Sequence, residues 1–359
     1  MPWTVDMPAP PSAAPGAGRA RSQRQASGLA TLFPGYFALV MATGIVSLAA
    51  HLHGLEIVAK VLFGLNLGFY AGLWVLTLLR FLRFRQQLLD DLTHHALGPA
   101  FLTKVAATCV LGSQFAALTP WLRIAQCLWF FGLALWVLLS YAFFTAVIVR
   151  EPKPPLETGI HGGWLLIVVS TESLCVLGAT LGPALGPSPI MLLVSLLAYL
   201  LGAMLYLVLI TLILYRWMFF TMTAEQMMPS YWINMGALAI TTLAGTRLLL
   251  AQNHWSLLRD LAPFLTGFTL FFWAAGTWWI PLLVIVGIWR HRSRHVPLSY
   301  SPQYWSLVFP LGMYSAATWM LGQATRIALF ERISAIFLAV ALAAWCITSI
   351  GMIRNWRAL

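Results

Sequence analysis

Long apolar stretches, separated by short polar segments, follow one another along almost the whole chain. Each is close to the 20 or so residues that a helix needs to cross a bilayer core. None shows the alternation of polar and apolar positions typical of a membrane β-strand, and a helix satisfies its own backbone hydrogen bonds in hydrocarbon. The pattern predicts an all-α integral membrane protein with ten transmembrane helices, at 33–53, 57–80, 98–119, 122–149, 161–182, 189–216, 230–251, 259–289, 303–325 and 331–353.

The amino-acid composition agrees with this interpretation. Hydrophobic residues make up 60% of the chain and charged residues only 9%, whereas a soluble domain carries about a quarter charged residues. The first 28 residues are rich in Pro, Ala, Gly, Ser and Arg and have no apolar periodicity. They are predicted to form a disordered cytoplasmic tail, which leaves 29–359 as one ten-helix transporter or channel domain.

The formal net charge of +11 has an uneven distribution between the two ends of the predicted helices. Fourteen Lys and Arg residues lie at one end, from Arg19 in the tail to Arg357, and six lie at the other. Basic residues accumulate on the cytoplasmic side of membrane proteins, so both termini are predicted to be cytoplasmic in a multi-pass cell-membrane protein. The basic balance is thus a topology signal, and no nucleic-acid partner is expected.

The odd-numbered helices open with related aromatic, Gly and Pro segments, spaced by about one helical hairpin. Their middles carry Gly, Ala, Ser and Thr, whereas the even-numbered helices are dominated by Leu, Phe, Trp and Val. Bulky apolar faces suit lipid, and small or hydroxylated faces suit an inner ring around a narrow path. The repeat predicts five hairpins in a quasi-five-fold arrangement around a central pore. The openings begin at Phe33, Gly98, His161, Ser230 and Gln303.

Two segments resemble a known transporter family. Residues 33–47 read FPGYFALVMATGIVS, and residues 304–310 read YWSLVFP. They are similar to the opening helix and to the aromatic-x-x-x-Phe-Pro segment of the tellurite-resistance, C4-dicarboxylate transporter and slow-anion-channel family. The resemblance implies transport of a small anion such as a dicarboxylate, sulfite, tellurite or a halide, usually by a homotrimer without a cofactor. It also implies that Phe309 blocks the pore.

The sequence offers a mechanical reason for such a gate. Pro310 removes a helix hydrogen bond and favours a kink that turns the preceding side chain off the helix line. Matching the openings places Phe309 level with the pore-lining candidates Met41, Val105, Val168 and Gly236, and Gly44 is a further candidate one turn deeper. The alternative is that Phe309 is an ordinary core aromatic.

Two charges are predicted to lie well inside the membrane, Lys104 in the third helix and Glu172 in the fifth. Such groups normally face a water-filled cavity or a partner. Lys104 is a candidate for attracting anions, and the two side chains are also candidates for a structural pair. The related family usually carries a neutral amide near Thr171-Glu172. A proton-coupled dicarboxylate carrier using Glu172 therefore stays open beside a passive channel.

Other chemistries have little support in the sequence. The four cysteines and eight histidines show no metal-ligand spacing, and no nucleotide-binding or nucleophile motif is present. Neither a metal nor an enzymatic activity is expected, and an integral membrane enzyme acting on lipid is the weaker alternative. Gly64, Gly68 and Gly72 form a small-residue stripe assigned to packing, either inside the hairpin or between subunits.

Overall fold

A computed structural model describes residues 28–186 and 188–355. The predicted tail lies outside the described residues apart from Gly28. The α-helices in chain order are α1 Ala38–Leu52, α2 Glu56–Arg83, α3 Arg85–Leu92, α4 Thr103–Leu118, α5 Leu122–Val149, α6 Leu156–Gly159, α7 Leu166–Ala184, α8 Pro189–Phe219, α9 Ile233–Leu250, α10 Ser256–Asp260, α11 Ala262–Ile288, α12 Trp305–Thr325 and α13 Ala328–Asn355.

The long helices coincide with the predicted spans to within about one helical turn. Within the described residues, nine helices are long and apolar enough to cross a membrane. The helix α12 has 21 residues and coincides with the predicted ninth span, but it is not among those nine. The short α3 in the loop after α2 was not predicted.

The long helices form two layers. In the inner layer α1, α4, α7, α9 and α12 each contact the next, and α12 contacts α1, so these five inner helices close a ring. In the outer layer α2, α5, α8, α11 and α13 each pack on the inner helix of their own hairpin. Of the central residues, 78–94% are buried in α1, α4, α7 and α9, against 17–50% in the outer helices. Small side chains therefore lie in the ring, and bulky apolar ones form the outer surface.

Each inner helix starts with a short 3-10 turn that contains Pro or Gly. These turns are Pro34–Phe37, Gly98–Leu102, Gly162–Leu165, Pro229–Trp232 and Pro302–Tyr304. Proline at the start of a helix loses nothing, because the first N–H groups have no partner within the helix. The repeated openings in the sequence are therefore helix starts, and all five lie at the same end of the ring.

Four hairpins share an arginine contact at that end, which we call the arginine strap. In each, an arginine near the C-terminal end of the outer helix donates to a backbone carbonyl in the segment that enters the inner helix of the same hairpin. The pairs are Arg80 Nη2 to Ala30 O at 2.8 Å, Arg150 Nη1 to Thr93 O at 3.0 Å, Arg216 Nη1 to Ile160 O, and Arg290 Nε to Ala224 O at 3.1 Å.

A second repeated contact joins neighbouring hairpins. An aromatic side chain on an outer helix bonds to a threonine in the middle of the next inner helix. The pairs are Tyr70 with Thr108 at 2.9 Å, Trp136 with Thr171 at 2.8 Å, Trp345 with Thr43 at 3.0 Å, and Trp273 with Thr318 at 3.0 Å. Thr43, Thr108 and Thr171 occupy equivalent positions, each ten residues after the opening of its helix, so they indicate which residues of α1, α4 and α7 lie at the same level.

The small-residue stripe lies on the open face of α2. A Cβ added at Gly64, Gly68 or Gly72 would meet no atom within 4 Å. The stripe therefore does not serve close approach inside the hairpin, and that half of the sequence interpretation is wrong. A contact between subunits stays a prediction.

Candidate functional site

A cavity of about 360 Å³ lies at the end of the ring where the inner helices begin. We call it the mouth cavity. Every inner helix contributes residues from its first two turns, at positions three residues apart on four of them. These positions are Gly35 on the first, Ala100 and Thr103, Gly163 and Leu166, Ser230 and Ile233, and Gln303 and Ser306. A cavity lined by all five helix starts lies on the axis of the ring.

The polar side chains of the mouth cavity are hydroxyls, amides and two basic groups. Of the described residues that line it, none is Asp or Glu. Arg216 enters from the end of α8 and is only 4% exposed. Its Nη1 donates to Ile160 O and to the Tyr231 hydroxyl, the latter at 2.9 Å. The buried Nε of Arg216 and the buried Oγ of Ser230 have no hydrogen-bond partner among the described residues.

His161 is the second basic group of the cavity, and it acts as a neutral cap. Its Nδ1 accepts the Gly163 N–H at 3.1 Å, and its Nε2 donates to Ala96 O at 3.1 Å. Burial lowers the pKa of His161 to about 4, with a smaller lowering from the Arg216 charge. The bond to Ala96 opposes that shift without cancelling it. At neutral pH, therefore, the cavity wall carries the Arg216 charge and an uncharged His161.

The sequence-predicted gate lies three residues beyond Ser306. Phe309 and Met41 are buried, and a Cβ added at Gly236 would lie 2.6 Å from the Pro310 ring, so α9 and α12 touch at this level. Val105 and Val168 are buried as well. Counting three residues from the cavity-lining positions leads to Ala106 and Val169 instead. The register given by Thr108 and Thr171 agrees with this one-residue offset.

Gly44 does not lie on the axis, which corrects the prediction that it lines a pore. A Cβ there would overlap Val110 of α4 and approach Asn66 of α2 and Gln114 of α4 at 2.8 and 3.1 Å. Asn66 Nδ2 donates to Gln114 Oε1 at 2.7 Å. Glycine is needed here because α1 passes directly over this buried amide pair.

Lys104 and Glu172 are both buried, as predicted, but they do not form a pair. The Lys104 ammonium lies 4.3 Å from the centre of the Phe101 ring and 5.2 Å from that of Phe37, in cation–π contacts. It lines a small separate pocket beside Arg80 rather than the mouth cavity. The hypothesis that Lys104 attracts anions from the cavity wall is therefore not supported by its position.

Glu172 also faces away from the axis, towards its own outer helix. Its carboxyl group packs directly on Gly202 of α8, where any Cβ would overlap it. The residue is 0% exposed, and both carboxyl oxygens lack a hydrogen-bond partner among the described residues. Gly44, Cys109, Ala239 and Gly312 occupy the equivalent positions on the other inner helices.

Sequence reasoning counted Arg216 only as one of the topology-determining charges. What distinguishes Arg216 is its hydrogen bonds to Ile160 O and to the Tyr231 hydroxyl, and no local pattern in the sequence reveals these contacts. Across the two described ranges, no group of three or more His, Cys, Asp or Glu side chains is placed to hold a metal ion.

The voltage-dependent anion channel family matches residues 31–353 of this chain. The chain belongs to that family. An uncharacterized membrane protein of Mycobacterium tuberculosis is 37% identical over 155 residues, which cover 43% of this chain and 78% of the relative. An uncharacterized transporter of Methanocaldococcus jannaschii is 25% identical over 79% of this chain and 82% of its own. A second transporter of that organism is 26% identical over 84% and 86%.

Family membership confirms the resemblance carried by residues 33–47 and 304–310. Together with the helices, it makes this a multi-pass membrane protein. The family and the names of the archaeal relatives indicate membrane anion transport rather than catalysis.

Proposed function

We propose that the protein conducts small anions across the membrane, through the mouth cavity and along the inside of the ring. The observation that carries this proposal is the convergence of all five inner-helix starts on one cavity. The proposal treats α12 as a tenth membrane crossing, so that five hairpins surround one pore.

The electrostatics of the mouth cavity favour anions. A helix N-terminus carries the equivalent of about half a positive charge, because its first N–H groups point outward without partners. Five such ends surround the cavity, Arg216 adds a full charge, and no lining carboxylate among the described residues opposes them. A cavity of one sign raises the local concentration of counter-ions. The arginine straps at this end also belong to the basic side of the chain, which supports a cytoplasmic mouth and cytoplasmic termini.

We propose that the path narrows at Phe309. Counting from the cavity-lining positions supports Met41, Ala106, Val169 and Gly236 as the residues level with Phe309. An apolar ring without hydrogen-bond donors is a poor environment for a hydrated anion, and phenylalanine is the largest of the five side chains. The proton-coupled carrier gains no support from the position of Glu172, which faces away from this path. The homotrimer, with the open face of Gly64, Gly68 and Gly72 as a contact, is part of the same proposal.

The test compares Phe309→Ala with Phe272→Ala. Phe272 is equally buried but lies on the outer helix α11, against Tyr206 and Phe268. Purified variants are reconstituted in liposomes, and the efflux of chloride, nitrate and succinate is recorded together with thermal unfolding. Removing a core phenylalanine costs about 3–5 kcal/mol, which we expect for Phe272→Ala without any gain in flux.

For Phe309→Ala we expect a several-fold higher flux of at least one anion and a smaller loss of stability, since its ring closes a path rather than filling a core. A well-folded Phe309→Ala protein with unchanged or lower flux would overturn the gate. The absence of flux of every anion in the wild type and in this variant would overturn the proposed function.

A further inference from the structure

Arg216 differs from the other arginine straps in its surroundings. Arg80 forms an ion pair with Asp91 at 2.5 Å, Arg150 is exposed, and Arg290 is half-buried. Arg216 is 4% exposed and has no acidic side chain within 4.0 Å in the described part of the chain. A buried charge without a counter-ion costs several kcal/mol even after relaxation. Because a strap forms elsewhere without this cost, the strap alone does not explain the environment of Arg216.

Arg216 and Ser230 both line the mouth cavity, and each has an unused hydrogen-bonding group. Arg216 engages Nη1 with Ile160 O and the Tyr231 hydroxyl, which leaves the guanidinium edge formed by Nε and Nη2. Nε has no partner, and neither does the Oγ of Ser230, the residue before Tyr231. Two residues that line the same cavity thus each carry a buried polar atom without a partner, and buried polar atoms are normally satisfied.

We propose that Arg216 and Ser230 form a binding site for an oxyanion of the carboxylate or nitrate class in the wall of the mouth cavity. A guanidinium edge donates two parallel N–H bonds, which match two oxygens of a planar oxyanion better than a spherical halide. The Ser230 hydroxyl supplies a third donor. The site rests on the proposed function only for its role as the entry point of the pathway, and its binding chemistry stands independently.

The test measures binding separately from transport. Thermal unfolding of the detergent-solubilised protein is followed while succinate, nitrate or chloride is added at constant ionic strength, because a bound ligand stabilises the folded state in proportion to its occupancy. We expect succinate or nitrate to raise the Tm of the wild type at lower concentration than chloride. In Arg216→Gln, at least a tenfold higher concentration should be needed for the same shift.

Two further variants distinguish the loss of a binding group from a folding defect in Arg216→Gln. Ser230→Ala removes no hydrogen bond present in the structure, so it should fold normally and need about threefold more oxyanion, as expected for one lost hydrogen bond. Arg150→Gln removes a strap that does not line the cavity, and its oxyanion response should stay within about twofold of the wild type. Equal responses in the wild type, Arg216→Gln and Ser230→Ala would overturn the site, as would the absence of any oxyanion response in the wild type.

Flux measured in parallel separates this proposal from the previous one. Binding that depends on Arg216 without conduction would refute the transport function and leave the site. Anion flux together with oxyanion binding that is unchanged by Arg216→Gln and Ser230→Ala would refute the site and leave the transport function.

Discussion

The contact between Glu172 and Gly202 makes a quantitative prediction about how α7 and α8 fit together. In Gly202→Ala, the new methyl group would overlap the carboxyl group and lie 2.7 Å from its Cδ and 3.0 Å from Cγ, whereas carbon atoms prefer about 3.5–4.0 Å. Glu172 is 0% exposed and has no route to solvent. We therefore expect overpacking to cost about 1–3 kcal/mol of unfolding free energy.

The steric explanation is tested with a double-mutant cycle. Glu172→Ala removes the overlapping group, so in the double variant the Gly202→Ala methyl group fills the vacated space. The two substitutions should couple favourably by about 1–3 kcal/mol, the range found for residues in contact. Unfolding is followed by tryptophan fluorescence during SDS titration in mixed micelles. Gly267→Ala, at a site where a Cβ meets nothing within 4 Å, is the matched control and should be neutral or stabilising.

A Gly202→Ala variant as stable as Gly267→Ala, or a loss of stability that persists unchanged in the double variant, would contradict the steric overlap. A companion measurement addresses function. Glu172→Gln preserves shape and removes the acid, and because the side chain faces away from the axis, anion flux and its pH dependence should match the wild type. Loss of a pH dependence that the wild type shows would restore the proton-coupled carrier.

Three further predictions concern the site and its supports. Because the pKa of His161 is lowered from 6.5 to about 4, the unfolded state binds more protons between these values. The stabilisation that the neutral His161 side chain contributes is therefore complete above about pH 6.5 and is lost as pH falls towards 4. Thermal unfolding should show that the Tm falls more steeply with decreasing pH in the wild type than in His161→Gln. Equal slopes of Tm against pH would contradict this prediction. Gly236→Ala should destabilise by about 1–3 kcal/mol against Pro310, measured as above, and a neutral effect would contradict the close approach of α9 and α12. Trp136→Phe should lose about 0.5–1.5 kcal/mol with its bond to Thr171, and no loss would contradict that bond.

The membrane helices could be predicted from the sequence because a chain in hydrocarbon has no water to bond its backbone groups. An apolar run of sufficient length must be helical to satisfy its backbone, and its ends are marked by charged residues, Pro and Gly. The hairpin repeat was equally visible, since a 3-10 turn recurs at each inner-helix start, with Pro34, Pro99, Pro229 and Pro302 in four of the turns and Gly162 in the fifth. These signals are local, so distant contacts do not obscure them.

The direction of individual side chains could not be predicted in the same way. One residue rotates a helical position by about 100°, and Val105 and Val168 lie seven residues after Gly98 and His161, whereas Met41 lies eight residues after Phe33. Counting eight residues from each opening gives Ala106 and Val169 in place of Val105 and Val168, and which pair faces the axis stays a prediction. The same uncertainty let Lys104 and Glu172 be paired, although their contacts lie in different helix interfaces.

Comparing equivalent positions of the five hairpins distinguishes an unusual residue that packing explains from one that packing does not explain. At the level of Glu172 the other inner helices carry Gly, Cys or Ala, so the carboxyl group is the exception, yet Gly202 supplies the room that it needs. A departure matched by a neighbouring substitution is explained by the fold alone. At the mouth, Arg216 is the exception among the straps, and no side chain among the described residues compensates its charge. An unfavourable feature that no neighbouring residue compensates, such as a buried charge without a counter-ion, points to function. We therefore expect an anion to bind at the unpaired guanidinium of Arg216 rather than near the buried acid Glu172.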